Sequence, residues 1–263
     1  KINRHMKKFA IILLLNLGIM GCMTNNAQGE NAATAPEELA TVIAGIEKAA
    51  NNQDLNGVIA YYSKDFKNSD GLSTVELSKA LTQMWKNYPQ LKYTTEIESW
   101  SASGNELIAE TLTTIRGIQN QEGRQERLNS TIRSRQYFQG QKLVRQEILT
   151  EQSQLMSGDR PPQVKVVAPD NVTTGEKYNF DLIVNEPLGN QVLLGAVREE
   201  KTSANLYLNS ASLELEQLAA GGIYKVATAP SLPGSNWLSA ILVRGDGITM
   251  ITHRVNIKDG AAK

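Results

Sequence analysis

The chain has 263 residues, of which 41% are hydrophobic and 21% charged, and its 27 basic and 27 acidic residues give a formal net charge of zero. This length predicts one or two domains with cores large enough to fold without cross-links. The single cysteine excludes an internal disulfide. Of the two histidines, His5 precedes the apolar N-terminal run and only His253 lies beyond it, which excludes a multi-histidine metal site in the rest of the chain. We expect no metal and no cofactor.

The N-terminus resembles a secretory signal. Lys7 and Lys8 precede an apolar run, Phe9–Met20, which is too short for a stable membrane-spanning helix. The next residues, Ile19-Met20-Gly21-Cys22, resemble the lipobox of bacterial lipoproteins. That resemblance implies a signal peptide over residues 1–22, a lipid on Cys22, and a location on the extracytoplasmic face of the bacterial cell envelope. An ordinary signal peptide with a coincidental cysteine is the alternative.

Cleavage before Cys22 would leave a mildly acidic protein. It removes four basic residues, so 23 remain against 27 acidic residues, a net charge of −4. Such a charge is unfavourable for nucleic-acid binding, which needs clustered cations. Residues 23–35 are small and polar, which predicts a flexible tether.

Three helices are predicted next. Pro36 and the two glutamates after it favour a helix start, and apolar residues then recur at helical spacing. Asp54 is a candidate cap for a second, short helix. Ser73 and Glu76 form a capping box for a third helix that stops before Pro89. Four long strands are predicted to follow: Leu91–Trp100, Leu107–Ile118, Arg124–Phe138 and Lys142–Gln154.

This order of elements resembles the nuclear transport factor 2-like fold, also called SnoaL-like, over residues 36–157. The run from Asn52 to Phe66 resembles the family's second helix and the turn after it. The resemblance implies an α+β fold in which helices and a curled antiparallel sheet form a cone. It implies no particular reaction.

A break at Ser157–Pro162 separates this segment from an all-β segment at residues 163–258. The spacing of its strands predicts a β-sandwich, and the segment resembles bacterial immunoglobulin-like domains. Seven strands are predicted: Val164–Ala168, Lys177–Val184, Gln191–Glu199, Ser212–Leu215, Gly222–Thr228, Asn236–Val243 and Thr249–Ile257.

Five aromatic residues fall where the cone is expected to have its pocket: Tyr61, Tyr62, Trp85, Tyr88 and Trp100. They predict either a site for a small apolar ligand or a filled core. An isomerase-like mechanism needs a carboxylate base, for which Asp54, Asp65 and Asp70 are the candidates, the last two in a predicted polar turn. A dehydratase-type Asp–His pair is excluded, because the segment contains no histidine.

Arginines on the predicted hairpins form either a cationic strip or a salt-bridged surface. The favoured hypothesis is a non-enzymatic, lipid-anchored binding or assembly protein with a protein partner or a second copy of itself. The alternative is a small-molecule-binding protein or an isomerase or dehydratase-type enzyme. A roomy cone with a buried carboxylate of raised pKa favours the enzyme, whereas a cone filled by Met84, Trp85 and Tyr88 disfavours it.

Overall fold

The computed structural model describes residues 30–31, 34–121, 123–187, 191–209, 213–218 and 221–260. The predicted signal peptide, Cys22 and most of the tether lie outside these residues. The helices are α1 (Glu37–Asn51), α2 (Leu55–Ile59), α3 (Thr74–Asn87) and α4 (Ala204–Leu208). Strands before residue 160 are β1 (Glu30–Asn31), β2 (Tyr62–Asn68), β3 (Leu91–Ser103), β4 (Glu106–Gln121), β5 (Arg124–Gln139) and β6 (Lys142–Gly158).

The later strands complete two sheets. They are β7 (Val164–Val167), β8 (Asn171–Thr173), β9 (Lys177–Val184), β10 (Leu194–Lys201), β11 (Glu216–Gln217), β12 (Gly222–Thr228), β13 (Gly234–Arg244) and β14 (Gly247–Lys258). An 11-stranded sheet has the order β1-β3-β4-β5-β6-β14-β13-β10-β11, with β2 on β6 and β8 on β14, and a three-stranded sheet has the order β12-β9-β7. The described fold is therefore mostly β with a few helices.

The large sheet is continuous because β6 pairs with strands from both parts of the chain. Along most of its length β6 pairs with β5, and from Gln152 to Gly158 it also pairs with β14. The break predicted near residue 157 thus lies at the end of a strand shared by both segments. The division into domains at 36–157 and 163–258 stays a prediction.

The two faces of the large sheet carry different cores. One face packs against the helices and forms the first core. The other face is covered at β14, β13 and β10 by the three-stranded sheet and forms the second core. Strand β13 shows the alternation, since Trp237 and Ile241 belong to the first core while Leu238 and Leu242 belong to the second. The outer face of β3–β5 remains in solvent.

Two local predictions are confirmed. Ser73 and Glu76 form a reciprocal capping box at α3, in which the Ser73 backbone N–H donates to Glu76 Oε2 at 2.9 Å. Asp54 caps α2 by accepting a hydrogen bond from the Gly57 N–H at 2.9 Å. Both caps involve residues within one helical turn of each other, so the spacing in the sequence identifies them.

Two predictions were wrong. The expected polar turn around Asp65 is strand β2, because Tyr62 and Phe66 bury one side of the strand and its backbone pairs with β6. The strand expected over Ser212–Leu215 is absent from its described part, 213–215, and a two-residue strand follows at Glu216–Gln217.

Candidate functional site

A small cavity lies between α1 and the helix-covered face of the large sheet. Its volume is about 30 Å³, enough for one or two water molecules. The lining residues are Ile43, Ile46, Glu47, Ala50, Tyr62, Thr95, Thr113, Gln136 and Gln146. The cavity is therefore far smaller than the pockets that hold drug-sized apolar ligands, at about 300–1,000 Å³.

Polar side chains of α1 bind the backbone of β3 beside this cavity. Glu47 Oε2 accepts a hydrogen bond from the Thr95 N–H at 2.7 Å. Asn51 accepts from the Tyr93 N–H at 2.8 Å and donates to the Tyr93 carbonyl at 2.9 Å. These bonds satisfy backbone groups of β3 and fix α1 on the sheet, so Glu47 has a structural role at the cavity wall.

The sheet side of the cavity is also polar. Gln146 Nε2 donates to Ser134 Oγ at 2.8 Å, and Thr111 Oγ1 lies 3.0 Å from the same hydroxyl. Gln136 is buried at the cavity wall, and its Oε1 has no hydrogen-bond partner among the described residues. This oxygen can accept a hydrogen bond from a water molecule in the cavity.

The five predicted aromatic residues do not converge on the cavity. Tyr62 lines it and packs edge-to-face on Phe66, with ring centroids 4.8 Å apart. Trp85 and Tyr88 are buried in the first core, where Trp85 Nε1 donates to Tyr93 Oη at 3.1 Å. Burial raises the pKa of Tyr62 and Tyr93, so both stay neutral hydrogen-bonding groups.

The other two aromatic residues lie toward the surface. Tyr61 is half-buried and packs against Gly45 of α1, where an added Cβ would clash with its ring. Trp100 is half-buried on β3 and its Nε1 donates to Thr34 Oγ1 at 3.1 Å. Among the described residues of the cavity wall, only Tyr62 comes from the predicted set.

A buried ionic cluster, made of Asp70, Glu151, Tyr207, Trp237 and Arg254, lies elsewhere under the same sheet face. Arg254 donates from Nη2 and Nη1 to Asp70 at 2.6 and 3.0 Å, and from Nε to Glu151 Oε2 at 2.7 Å. Tyr207 Oη donates to Asp70 Oδ2 at 2.5 Å, and Trp237 Nε1 donates to Glu151 Oε2 at 2.9 Å. The side chain of Arg254 is 0% exposed, that of Asp70 1% and that of Glu151 2%.

Contacts within this cluster shift the pKa values of Asp70 and Tyr207. Burial alone would raise the pKa of Asp70, but the charge and hydrogen bonds of Arg254, with the Tyr207 hydroxyl, hold it below its ordinary value. Burial and the Asp70 charge raise the pKa of Tyr207, which keeps its donated proton. Asp70 is thus ionised and has a structural role, and it lacks the raised pKa that the isomerase hypothesis requires.

The remaining candidate carboxylates are placed differently. Asp54 caps α2, and Asp65 is exposed on β2. Sequence reasoning missed Glu151 and Arg254, although one signal was available. Arg254 follows Met250 and Thr252 at alternate positions on a strand with buried residues on both sides, so its guanidinium has to be buried and therefore paired.

The five arginines of β5 and β6 divide into two groups. Arg133 pairs with Glu98 at 2.6 Å, Arg135 with Glu110 and Glu147 at 2.6 and 2.9 Å, and Arg145 with Glu106 at 2.7 Å. These three form the salt-bridged surface predicted for the hairpins. Arg124 and Arg127 form no ion pair with any described residue.

Within the described ranges, no cluster of three or more His, Cys, Asp or Glu residues is arranged to hold a metal. No helix in the same part of the chain is both long and apolar enough to cross a membrane.

Comparison with known proteins gives one family match. A family model described as "Domain of unknown function (DUF8623)" matches residues 159–258. No curated protein matches the chain.

Two solved structures show distant similarity. Bd1075 of Bdellovibrio bacteriovorus aligns at 17% identity over 43% of this chain and 40% of its own, with a TM-score of 0.31. A loop-truncation variant of IdmH aligns at 13% identity over 41% of this chain and 89% of its own, with a TM-score of 0.31. The aligned part thus spans less than half the length of the Bd1075 chain.

Proposed function

We propose that this chain is a bacterial lipoprotein, anchored through a lipid on Cys22 to the extracytoplasmic face of the cell envelope, which acts as a non-enzymatic binding or assembly protein. In this proposal residues 36–157 form a nuclear transport factor 2-like cone and residues 163–258 an immunoglobulin-like sandwich. The lipobox-like Ile19–Cys22 and the small, polar residues that follow it support the lipid anchor.

The observation that carries the non-enzymatic part is the use of the buried carboxylates. Asp70 and Glu151 are both bound by Arg254, and neither lines the cavity. A general base must lie within hydrogen-bonding reach of substrate, and these two carboxylates are buried away from the cavity. Glu47 does line the cavity, but it accepts a hydrogen bond from the Thr95 N–H and holds α1 on β3. The interactions of Asp70 and Glu151 instead join residues of the first segment to Arg254, Tyr207 and Trp237 of the second. A fold whose segments are joined in this way is suited to presenting a surface to a partner.

The alternative is a small-molecule-binding protein or an isomerase or dehydratase-type enzyme. Its requirements are a cone with room for an apolar ligand and a carboxylate of raised pKa. The cavity volume is only about 30 Å³, and Met84, Trp85 and Tyr88 are buried in the first core. Both observations support the non-enzymatic binding or assembly protein over this alternative.

Metabolic labelling tests the anchor. Bacteria expressing the full chain are grown with an alkyne analogue of palmitate, and incorporation is compared with that of Cys22→Ala. We expect label on the wild-type chain, located on Cys22 by mass spectrometry of the N-terminal peptide, and none on the variant. Equal labelling of both chains, or of neither, overturns the anchor.

Cross-linking in intact membranes tests the binding role. We expect mass spectrometry to identify cross-links from surface lysines of the described fold to one recurring protein partner or to a second copy of the chain. If the cross-links are only intramolecular, the assembly role is wrong.

A further inference from the structure

Three cations on the outer face of the large sheet form a patch that the salt-bridged surface does not include. Lys92 of β3 lies directly opposite Arg116 of β4, and Arg127 of β5 lies directly opposite Ile118 of β4. All three cations are exposed, as is Ile118 at 47%. We call Lys92, Arg116 and Arg127, with Ile118 between them, the cationic patch.

The patch is unneutralised by the described residues. Lys92, Arg116 and Arg127 form no ion pair with any residue in the described ranges. By contrast, Arg133 and Arg135 of β5 and Arg145 of β6 each pair with glutamate. Like charges directly opposite each other destabilise a strand pair, so Lys92 and Arg116 weaken the sheet they belong to. An exposed isoleucine at the same place adds apolar surface. Fold stability therefore does not account for the patch.

We infer that the cationic patch binds the anionic phospholipid headgroups of the membrane that carries the anchor. The inference rests on the proposed function for the choice of membrane. Cations near an anionic leaflet are attracted to it, each strengthening binding about fivefold, and an exposed aliphatic side chain between them can enter the headgroup region.

The short segment between Cys22 and the fold supports contact between the cationic patch and this membrane. Glu30 pairs with Trp100 on β3, so only residues 23–29 separate Cys22 from the folded body. Seven residues span at most about 25 Å. Lys92 lies on the same strand as Trp100, eight residues away, or about 26 Å at the rise of a strand. A body held so close to the bilayer at one end of β3 can therefore place the patch, near the other end, on the same surface.

Vesicle binding tests the inference without the anchor. The polypeptide Cys22–Lys263, prepared without signal peptide and therefore without lipid, contains every residue of both cores, which extend from Leu39 to Ile257. Its co-sedimentation under reducing conditions is measured with phosphatidylcholine vesicles and with vesicles that also contain phosphatidylglycerol. The test variant is Lys92→Gln/Arg116→Gln/Arg127→Gln. Its matched control is Arg133→Gln/Arg135→Gln/Arg145→Gln, which removes the same charge from the ion-paired group.

We expect the wild-type polypeptide to bind the anionic vesicles, to release them as salt is raised, and to bind phosphatidylcholine alone much more weakly. The test variant should bind roughly 100-fold more weakly, and the control variant within about threefold of wild type. Thermal unfolding followed by circular dichroism identifies any variant that has lost its fold. An equal loss in both folded variants would mean that net charge alone acts, which overturns the inference.

Two further outcomes also overturn it. One is wild-type binding that does not depend on phosphatidylglycerol. The other is retention by a soluble polyanion such as polyphosphate with no binding to anionic vesicles, which would assign the patch to an anionic polymer. Because the polypeptide carries no lipid, these results are independent of whether Cys22 is acylated in cells.

Discussion

Replacing Arg254 by methionine tests the role of the buried ionic cluster. The substitution keeps a long side chain but leaves Asp70 and Glu151 buried without their cation, at 1% and 2% side-chain exposure. Removing one partner of a buried ion pair costs about 3–5 kcal/mol of unfolding free energy. With a urea m-value of about 2–3 kcal/mol/M, the unfolding midpoint should fall by about 1–2 M.

Urea unfolding followed by tryptophan fluorescence measures this change, since Trp237 belongs to the cluster. The control is Arg135→Met, which breaks half-exposed ion pairs at the surface and should cost no more than about 1 kcal/mol. A loss below about 1 kcal/mol for Arg254→Met would refute the structural role, because the carboxylates would then have to be satisfied in another way.

The pH dependence of the same comparison has a definite sign. In the wild type the pKa of Asp70 is lowered by folding, so its stabilisation is complete above the unfolded pKa of about 3.9 and is lost as pH falls further. In Arg254→Met burial raises that pKa, so protonation on acidification relieves the buried charge. The stability difference should therefore be largest near neutral pH and shrink toward about pH 4. A difference that grows on acidification would contradict this assignment.

Three smaller perturbations are checked by the same urea titration. Tyr207→Phe removes the hydroxyl that donates to Asp70 and should cost about 1–3 kcal/mol; no loss would mean that the carboxylate does not need this donor. Ser73→Ala removes the α3 cap and should cost about 1 kcal/mol. Gly158→Ala should cost about 1–3 kcal/mol, because φ is +96° and the new Cβ would lie 2.6 Å from the Asp246 carbonyl oxygen; a neutral result would require the backbone to relax there.

Local patterns predicted many elements because their causes are local. The alternation Tyr178, Phe180, Leu182 and Val184 predicted the bounds of β9 as observed, since one strand face is buried and the other is not. The capping box at Ser73 likewise needs only four residues. In each case the physical cause lies inside the segment that the prediction used.

The missed features depend on distant residues. β2 has only two large apolar side chains, and its strand conformation depends on pairing with β6, about 80 residues later. Asp70 and Arg254 are separated by 184 positions, so no spacing rule relates them. Sequence spacing also does not show which side chains meet across the fold. The predicted pocket residues were therefore chosen by the helix or strand on which they lie. Only Tyr62 reached the cavity, while the polar Gln136 and Thr113 opposite it were not considered.

The central place of β14 sets the order in which the protein can fold. This strand follows the others in the chain, yet it lies between β6 and β13 in the middle of the large sheet and carries Arg254. During synthesis, which begins at the N-terminus, the edges of β6 and β13 that pair with β14 therefore stay open until residues 247–258 have been made. Asp70 and Glu151 likewise lack Arg254 until then. The pairing of the large sheet is therefore complete only after residues 247–258 have been made, and until then the open edges of β6 and β13 can pair with other strands.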